Sequence, residues 1–215
     1  MRTALRAAGA DTLSASMYNF IIGLTLLWGL GLNVVMLDVV PLETLQSIPT
    51  WLFLVGYFVM ALTGIFLNVS SSNPAISFLG YNLVVVPLGL VLCLALPGED
   101  QSAIQMAVVQ TGMAVILMVL GATLFPKMAL SLGPFLFMAL LGLIVAQLVS
   151  IFVFDTAPTV LNVIGVGIFC GYLAYDWASA QSADKTVDNA IDAACALYLD
   201  IINLFLHLLK LNSSD

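Results

Sequence analysis

Charged side chains are scarce in this chain, since only 8% of its 215 residues are Asp, Glu, Lys or Arg, against about 25% in an ordinary soluble domain. So few charges on a soluble globule would leave wide contiguous apolar patches, which soluble monomers avoid. The scarcity excludes water as the main solvent, and a hydrophobic content of 62% points to a lipid bilayer. With five basic residues against twelve acidic ones, a basic surface for nucleic acid is excluded as well.

Cysteine and histidine patterns that hold metals or disulfides are also missing. Cys93, Cys170 and Cys195 lie in apolar stretches, with no CxxC motif and no histidine at the spacing of a metal site. We therefore interpret them as packing residues. No bound cofactor is expected.

Seven apolar stretches are long enough to cross the hydrocarbon core. A spanning helix takes about 20 residues, because a backbone in lipid must satisfy its own hydrogen bonds. The predicted helices cover residues 16–38, 50–68, 74–96, 103–125, 132–154, 158–181 and 189–209. The connections are short and leave no room for a soluble domain, so we predict one all-α, polytopic transmembrane domain over residues 1–215. The apolar run after residues 1–14 is full length and no cleavage site follows, which predicts a retained signal anchor.

The distribution of basic residues predicts the orientation. With residues 1–14 as a cytoplasmic tail, four basic residues fall on the cytoplasmic side and one on the other. The four are Arg2, Arg6, Lys127 and Lys185, and the one is Lys210. The prediction is a cytoplasmic N-terminus and a C-terminus on the opposite side, with the lipid bilayer as the main partner.

Two aspartates lie inside predicted spans, where a charge is costly unless it faces a partner or water. Asp176 is near the end of the sixth span and Asp200 is within the seventh. The two spans form a hairpin, so the carboxyl groups can lie at similar depth. Two carboxylates in a low dielectric cannot both ionise cheaply, and we expect them to share one proton. Loss of that proton would separate the helices or recruit a hard cation such as Ca²⁺, which makes the pair a candidate pH sensor and metal-binding site. The simpler alternative is that the aspartates only accept hydrogen bonds that hold helices together.

A polar stripe on the seventh span supports this hypothesis. Asp192, Ala196, Asp200, Asn203 and His207 recur at helical spacing on one face of an otherwise apolar helix. Asn203 is a candidate orienting partner, and His207 a candidate member of a proton path or, alternatively, an interfacial residue. Three acids at the start of the same span are interpreted as a solvated helix terminus. They are Asp184, Asp188 and Asp192.

The C-terminal run Ala194-Cys-Ala-Leu-Tyr-Leu-Asp-Ile-Ile-Asn-Leu-Phe-Leu-His-Leu-Leu-Lys210, preceded by Tyr175-Asp176, resembles the transmembrane Bax-inhibitor-motif family on its bacterial side. The resemblance implies a bundle with the C-terminal helix central, in a bacterial inner (plasma) membrane. It implies a calcium leak, as channel or exchanger, controlled by a pH-sensing pair at Asp176 and Asp200. Tyr175 and Tyr198, which lie close to these aspartates in the sequence, are candidate supporting residues. Some relatives have a basic residue near the end of the second helix that can latch onto the pair. Here residues 66–73 contain no Lys or Arg, so that latch is absent.

Three functions remain open from the sequence. The first is a pH-sensitive leak for small cations and protons, and the second is a membrane-embedded regulator of a partner such as a quality-control protease. The third, less favoured, is an intramembrane aspartyl protease. Asp200 lies in Leu-Tyr-Leu-Asp and not in the Gly-x-Gly-Asp that those proteases use, so we expect no enzyme.

Overall fold

The computed structural model describes residues 12–154 and 158–213, without the side chains of residues 151 and 152. The predicted tail with Arg2 and Arg6 lies almost wholly outside the described residues, as does Asp155 in the fifth connection. The described residues form nine helices. They are α1 (Ala15–Val39), α2 (Leu42–Gln46), α3 (Thr50–Ser70), α4 (Pro74–Ala95), α5 (Gln101–Leu124), α6 (Pro126–Ser131), α7 (Gly133–Phe154), α8 (Thr159–Ser182) and α9 (Val187–Asn212).

Seven of these helices are long and apolar enough to cross a membrane, which confirms the predicted class and number of spans. The largest boundary difference is at the end of α9, predicted at residue 209 and observed at Asn212. The short helices α2 and α6 were not predicted, because their prolines were interpreted only as breakers. Pro126 occupies the first turn of α6 and Pro41 caps α2, positions where a missing N–H has no cost.

The chain divides into two compact units, and in each of them one helix packs against three others. In the first unit (Met1–Pro97 and Ala183–Tyr198), α4 packs against α1, α2 and α3. The contact between α3 and α4 is close, since a Cβ built on Gly64 would lie 2.5 Å from the carbonyl oxygen of Gly80. Any larger side chain at Gly64 would therefore separate the two helices.

In the second unit (Gly98–Ser182 and Leu199–Asp215), α8 packs against α5, α6 and α7. The indole Nε1 of Trp177 on α8 donates to Thr123 Oγ1 on α5 at 2.9 Å. The first part of α9 belongs to the first unit and its last part to the second. The prediction of a single domain is not tested by this division and stays a prediction.

Large apolar side chains cover the exposed surface of the long helices. Leu124 is 72% exposed, Phe135 69% and Phe66 68%, exposures that lipid makes favourable and water does not. In α4 and in α9, half of the most apolar 18-residue stretch is buried. In the other five spanning helices the buried share of that stretch is 28% or less. The chain is a multi-pass membrane protein.

Candidate functional site: a buried carboxyl pair

The carboxyl groups of Asp176 on α8 and Asp200 on α9 are hydrogen-bonded to each other. Asp200 is only 5% exposed and Asp176 is half-buried. The connection between α8 and α9 is short and comprises residues 183–186. The two predicted site residues therefore meet within the second unit.

A hydrogen bond between two carboxyl groups requires a proton on one of them, because a carboxylate has only acceptors. Among the described residues, nothing hydrogen-bonds the buried Oδ2 atom of Asp200. A buried acceptor without a donor costs about 1–3 kcal/mol. The pair can thus share a proton, and it has one buried oxygen that no donor reaches among the described residues.

Tyr172 is a neighbour of the pair that the sequence reasoning missed. Its phenol lies within electrostatic range of both Asp176 and Asp200. The signal was present, because residues 172 and 176 are one helical turn apart and share a face of α8. Tyr175, the predicted neighbour, instead packs against α7, where a Cβ on Gly133 would lie 2.7 Å from its ring.

The other predicted supporting residues bond elsewhere. Asn203 Nδ2 donates to the carbonyl of Leu199, in its own helix, at 2.7 Å. His207 Nδ1 lies 3.0 Å from Asn162 Oδ1 on α8, and its ring stacks on Phe169 with 5.6 Å between centroids. In the first unit, the buried hydroxyl of Tyr198 donates to Asn33 Oδ1 at 2.5 Å. The recorded hydrogen bonds of these three residues therefore do not reach the carboxyl pair, and their functional roles stay predictions.

The carboxyl pair offers few ligands for a metal. In the part of the chain that the structure describes, no group of three or more His, Cys, Asp or Glu side chains could hold a metal ion. Ca²⁺ takes six to eight oxygen ligands. Asp176 and Asp200 could supply only part of such a shell.

The prediction of a solvated helix start was wrong for Asp188. This residue is 5% exposed, and Ser77 Oγ on α4 donates to its Oδ1 at 2.6 Å. The helix dipole argument placed an acid correctly in the first turn of α9. It could not show that α4 packs over that turn. Asp184, by contrast, is exposed as expected.

Seven apolar helices with a hydrogen-bonded carboxyl pair on two of them define a multi-pass membrane protein with an acidic intramembrane site. The family described as "Inhibitor of apoptosis-promoting Bax1" matches residues 11–214. The chain belongs to this Bax inhibitor family, as the C-terminal motif had indicated.

Named relatives come from bacteria, plants and a virus. An uncharacterized protein of Deinococcus radiodurans is 40% identical over 92 residues, 39% of this chain and 40% of the relative. The BI1-like protein of Arabidopsis thaliana is 42% identical over 83 residues, 37% of this chain and 32% of the relative. The Golgi anti-apoptotic protein of vaccinia virus (strain Lister) is 46% identical over 81 residues, 37% of this chain and 34% of the relative. The matched region thus spans about two fifths or less of these relatives.

Proposed function

We propose that this protein passes small cations, Ca²⁺ foremost, across the membrane under the control of the protonation state of Asp176 and Asp200. The supporting observation is the hydrogen bond between two carboxyl groups on membrane-spanning helices, one of them almost wholly buried. Acidic groups within spanning helices are costly and are typical of ion and proton pathways. The bilayer in this proposal is a bacterial inner membrane, with the N-terminus cytoplasmic and the C-terminus opposite.

Repulsion between the two carboxylates would drive the switch. With the shared proton present, the hydrogen bond joins α8 to α9 within the second unit. With the proton gone, two anions about 4 Å apart repel by about 4 kcal/mol at an effective dielectric constant of about 20. The pair then separates or takes up a cation, which neutralises both charges in the case of Ca²⁺. Higher pH therefore favours the conducting state.

In this proposal the closed state depends on the proton shared by Asp176 and Asp200, because the sequence has no Lys or Arg near the end of α3. No Lys or Arg lies between Arg6 and Lys127, and the polar residue near that helix end, Asn68, donates to the carbonyl of Ser77. A neutral amide cannot neutralise a carboxylate pair. The conducting state should therefore follow proton concentration directly.

Reconstitution in liposomes loaded with a calcium dye tests the proposal. Wild-type protein should give a calcium flux that rises with pH, and the Asp176→Asn/Asp200→Asn variant should give none, because two amides cannot become charged. Exposed Asp184 in the same hairpin is the matched control, since Asp184→Asn makes the same chemical change outside the pair. Flux equal to that of empty vesicles at every pH, or full flux in the double variant, would eliminate the proposal.

The regulator hypothesis differs in what it requires of the N-terminal tail. Deletion of residues 2–12 should leave flux intact in a transporter and should abolish recovery of a partner, such as a membrane protease, in a regulator. An intramembrane protease would instead cleave membrane substrates and lose that cleavage in Asp200→Ala. Intact flux in the tail deletion together with no cleavage of a substrate panel is the outcome expected here.

A further inference from the structure

Three buried oxygen-bearing side chains of the first unit are linked by hydrogen bonds. Asn68 belongs to the last turn of α3, Ser77 to the first turn of α4 and Asp188 to the first turn of α9. Asn68 is 4% exposed, Ser77 0% and Asp188 5%. We call these residues the Asn68–Ser77–Asp188 cluster.

Two hydrogen bonds connect the members of this cluster. Asn68 Nδ2 donates to the carbonyl oxygen of Ser77 at 2.9 Å, and Ser77 Oγ donates to Asp188 Oδ1 at 2.6 Å. The carbonyl can only accept, so the amide group of Asn68 cannot be flipped without losing its bond. Its Oδ1 is therefore fixed as a buried acceptor, and no donor reaches it among the described residues.

The cluster presents oxygen atoms of the kinds that hard cations bind: a carboxylate, an amide oxygen and a hydroxyl. The partner of the Asp188 carboxylate is a neutral hydroxyl, Ser77 Oγ. A single carboxylate balances one positive charge. A divalent ion would bring an excess charge into an apolar surrounding, which is costly.

We propose that the Asn68–Ser77–Asp188 cluster binds a hard monovalent cation, with Na⁺ as the probe. The Asp188 carboxylate supplies the charge, and Asn68 Oδ1 and Ser77 Oγ supply neutral ligands. This site does not depend on the carboxyl pair being a pH sensor.

Thermal unfolding of the full-length protein in detergent micelles tests this site. The background is Asp176→Asn/Asp200→Asn, so that the carboxyl pair cannot contribute cation binding. Replacing choline chloride with NaCl at constant ionic strength should raise the unfolding midpoint by about 3 °C once Na⁺ exceeds its Kd tenfold. Adding Asp188→Asn should abolish this rise. Adding Ser77→Ala should weaken the apparent affinity for Na⁺ about tenfold, a typical effect of losing one ligand contact. Adding Asp184→Asn should leave the rise unchanged.

Several results would overturn the proposal. An equal midpoint in choline and sodium would mean that a buried water, not an ion, satisfies Asn68. A sodium response that survives Asp188→Asn would place the ion elsewhere, and a stronger response to Ca²⁺ than to Na⁺ would refute the monovalent assignment. If Asp188→Asn fails to fold, Ser77→Ala decides, because an undiminished sodium response in that uncharged variant also refutes the site. Since no flux is measured, these outcomes are independent of the calcium flux test above.

Discussion

The single substitution Asp200→Asn separates titration of the carboxyl pair from its hydrogen bonding. Asparagine has nearly the volume of aspartate, and its amide nitrogen can donate to the Asp176 carboxylate, so the contact between α8 and α9 can persist. What the variant loses is the possibility of two negative charges in contact. That repulsion is worth about 4 kcal/mol, which corresponds to nearly three powers of ten in the equilibrium between joined and separated carboxyl groups.

Calcium flux into dye-loaded liposomes, measured from about pH 5 to about pH 8, reports this equilibrium. The wild type should show low flux at the acidic end, where the shared proton is retained, and higher flux at the basic end. Asp200→Asn should show the low, acidic-end flux throughout. The reciprocal variant Asp176→Asn should behave in the same way, because either amide removes the second charge.

Asp184→Asn is the control for a change of one acid in the same hairpin, since Asp184 is exposed. It should keep the wild-type dependence on pH. A variant Asp200→Asn that retains the wild-type slope would refute the reasoning, because the slope would then come from another titrating group. A wild-type flux that falls as pH rises would also refute it, since repulsion could not then be the opening force.

Three further expectations concern stability. Tyr198→Phe removes the hydroxyl that donates to Asn33 and leaves a buried acceptor, so the free energy of unfolding should fall by about 1–2 kcal/mol, measured by denaturation in mixed micelles. Gly64→Ala places a methyl group against the carbonyl of α4 and should lower the unfolding midpoint by several degrees, about 1–3 kcal/mol, whereas Gly56→Ala, with open space around it, should not. Lys210, and then Ser213, lower the pKa of Glu99 by hydrogen bonding to its carboxylate. The resulting stabilisation, under about 1 kcal/mol, should be present above the ordinary Glu pKa and lost as pH falls through the lowered one. Unfolding midpoints of wild type and Glu99→Gln across that range check this expectation, and equal differences at every pH would contradict it.

The spans were predictable because lipid imposes a strong and local rule on sequence. Every spanning helix must be long and apolar, so hydropathy alone placed all seven. Asp176 and Asp200 stood out for the same reason, since a charge is conspicuous in an apolar run. The hairpin connection then limited where the two carboxyl groups could be.

The partners of polar side chains were not predictable, because they depend on which helices pack together. Asp188 looked like an ordinary acid at a helix start, and only the packing of α4 buries it against Ser77. Tyr198 was predicted as a supporting residue of the carboxyl pair, yet residues two apart on a helix, such as Tyr198 and Asp200, point to different faces. The hydroxyl of Tyr198 bonds to Asn33 instead.

The chemical difference between the two buried acidic groups follows from their partners. The carboxyl group of Asp200 faces another carboxyl group, so a hydrogen bond between them needs a proton on one of the two. The carboxyl group of Asp188 faces a hydroxyl that always has a proton to donate, so its hydrogen bond persists when the acid is ionised. In our proposals the first arrangement acts as a switch, and the second acts as a site that keeps its geometry. Asp188 and Asp200 both lie on α9. The role that each aspartate can have is decided by the group that its carboxyl contacts.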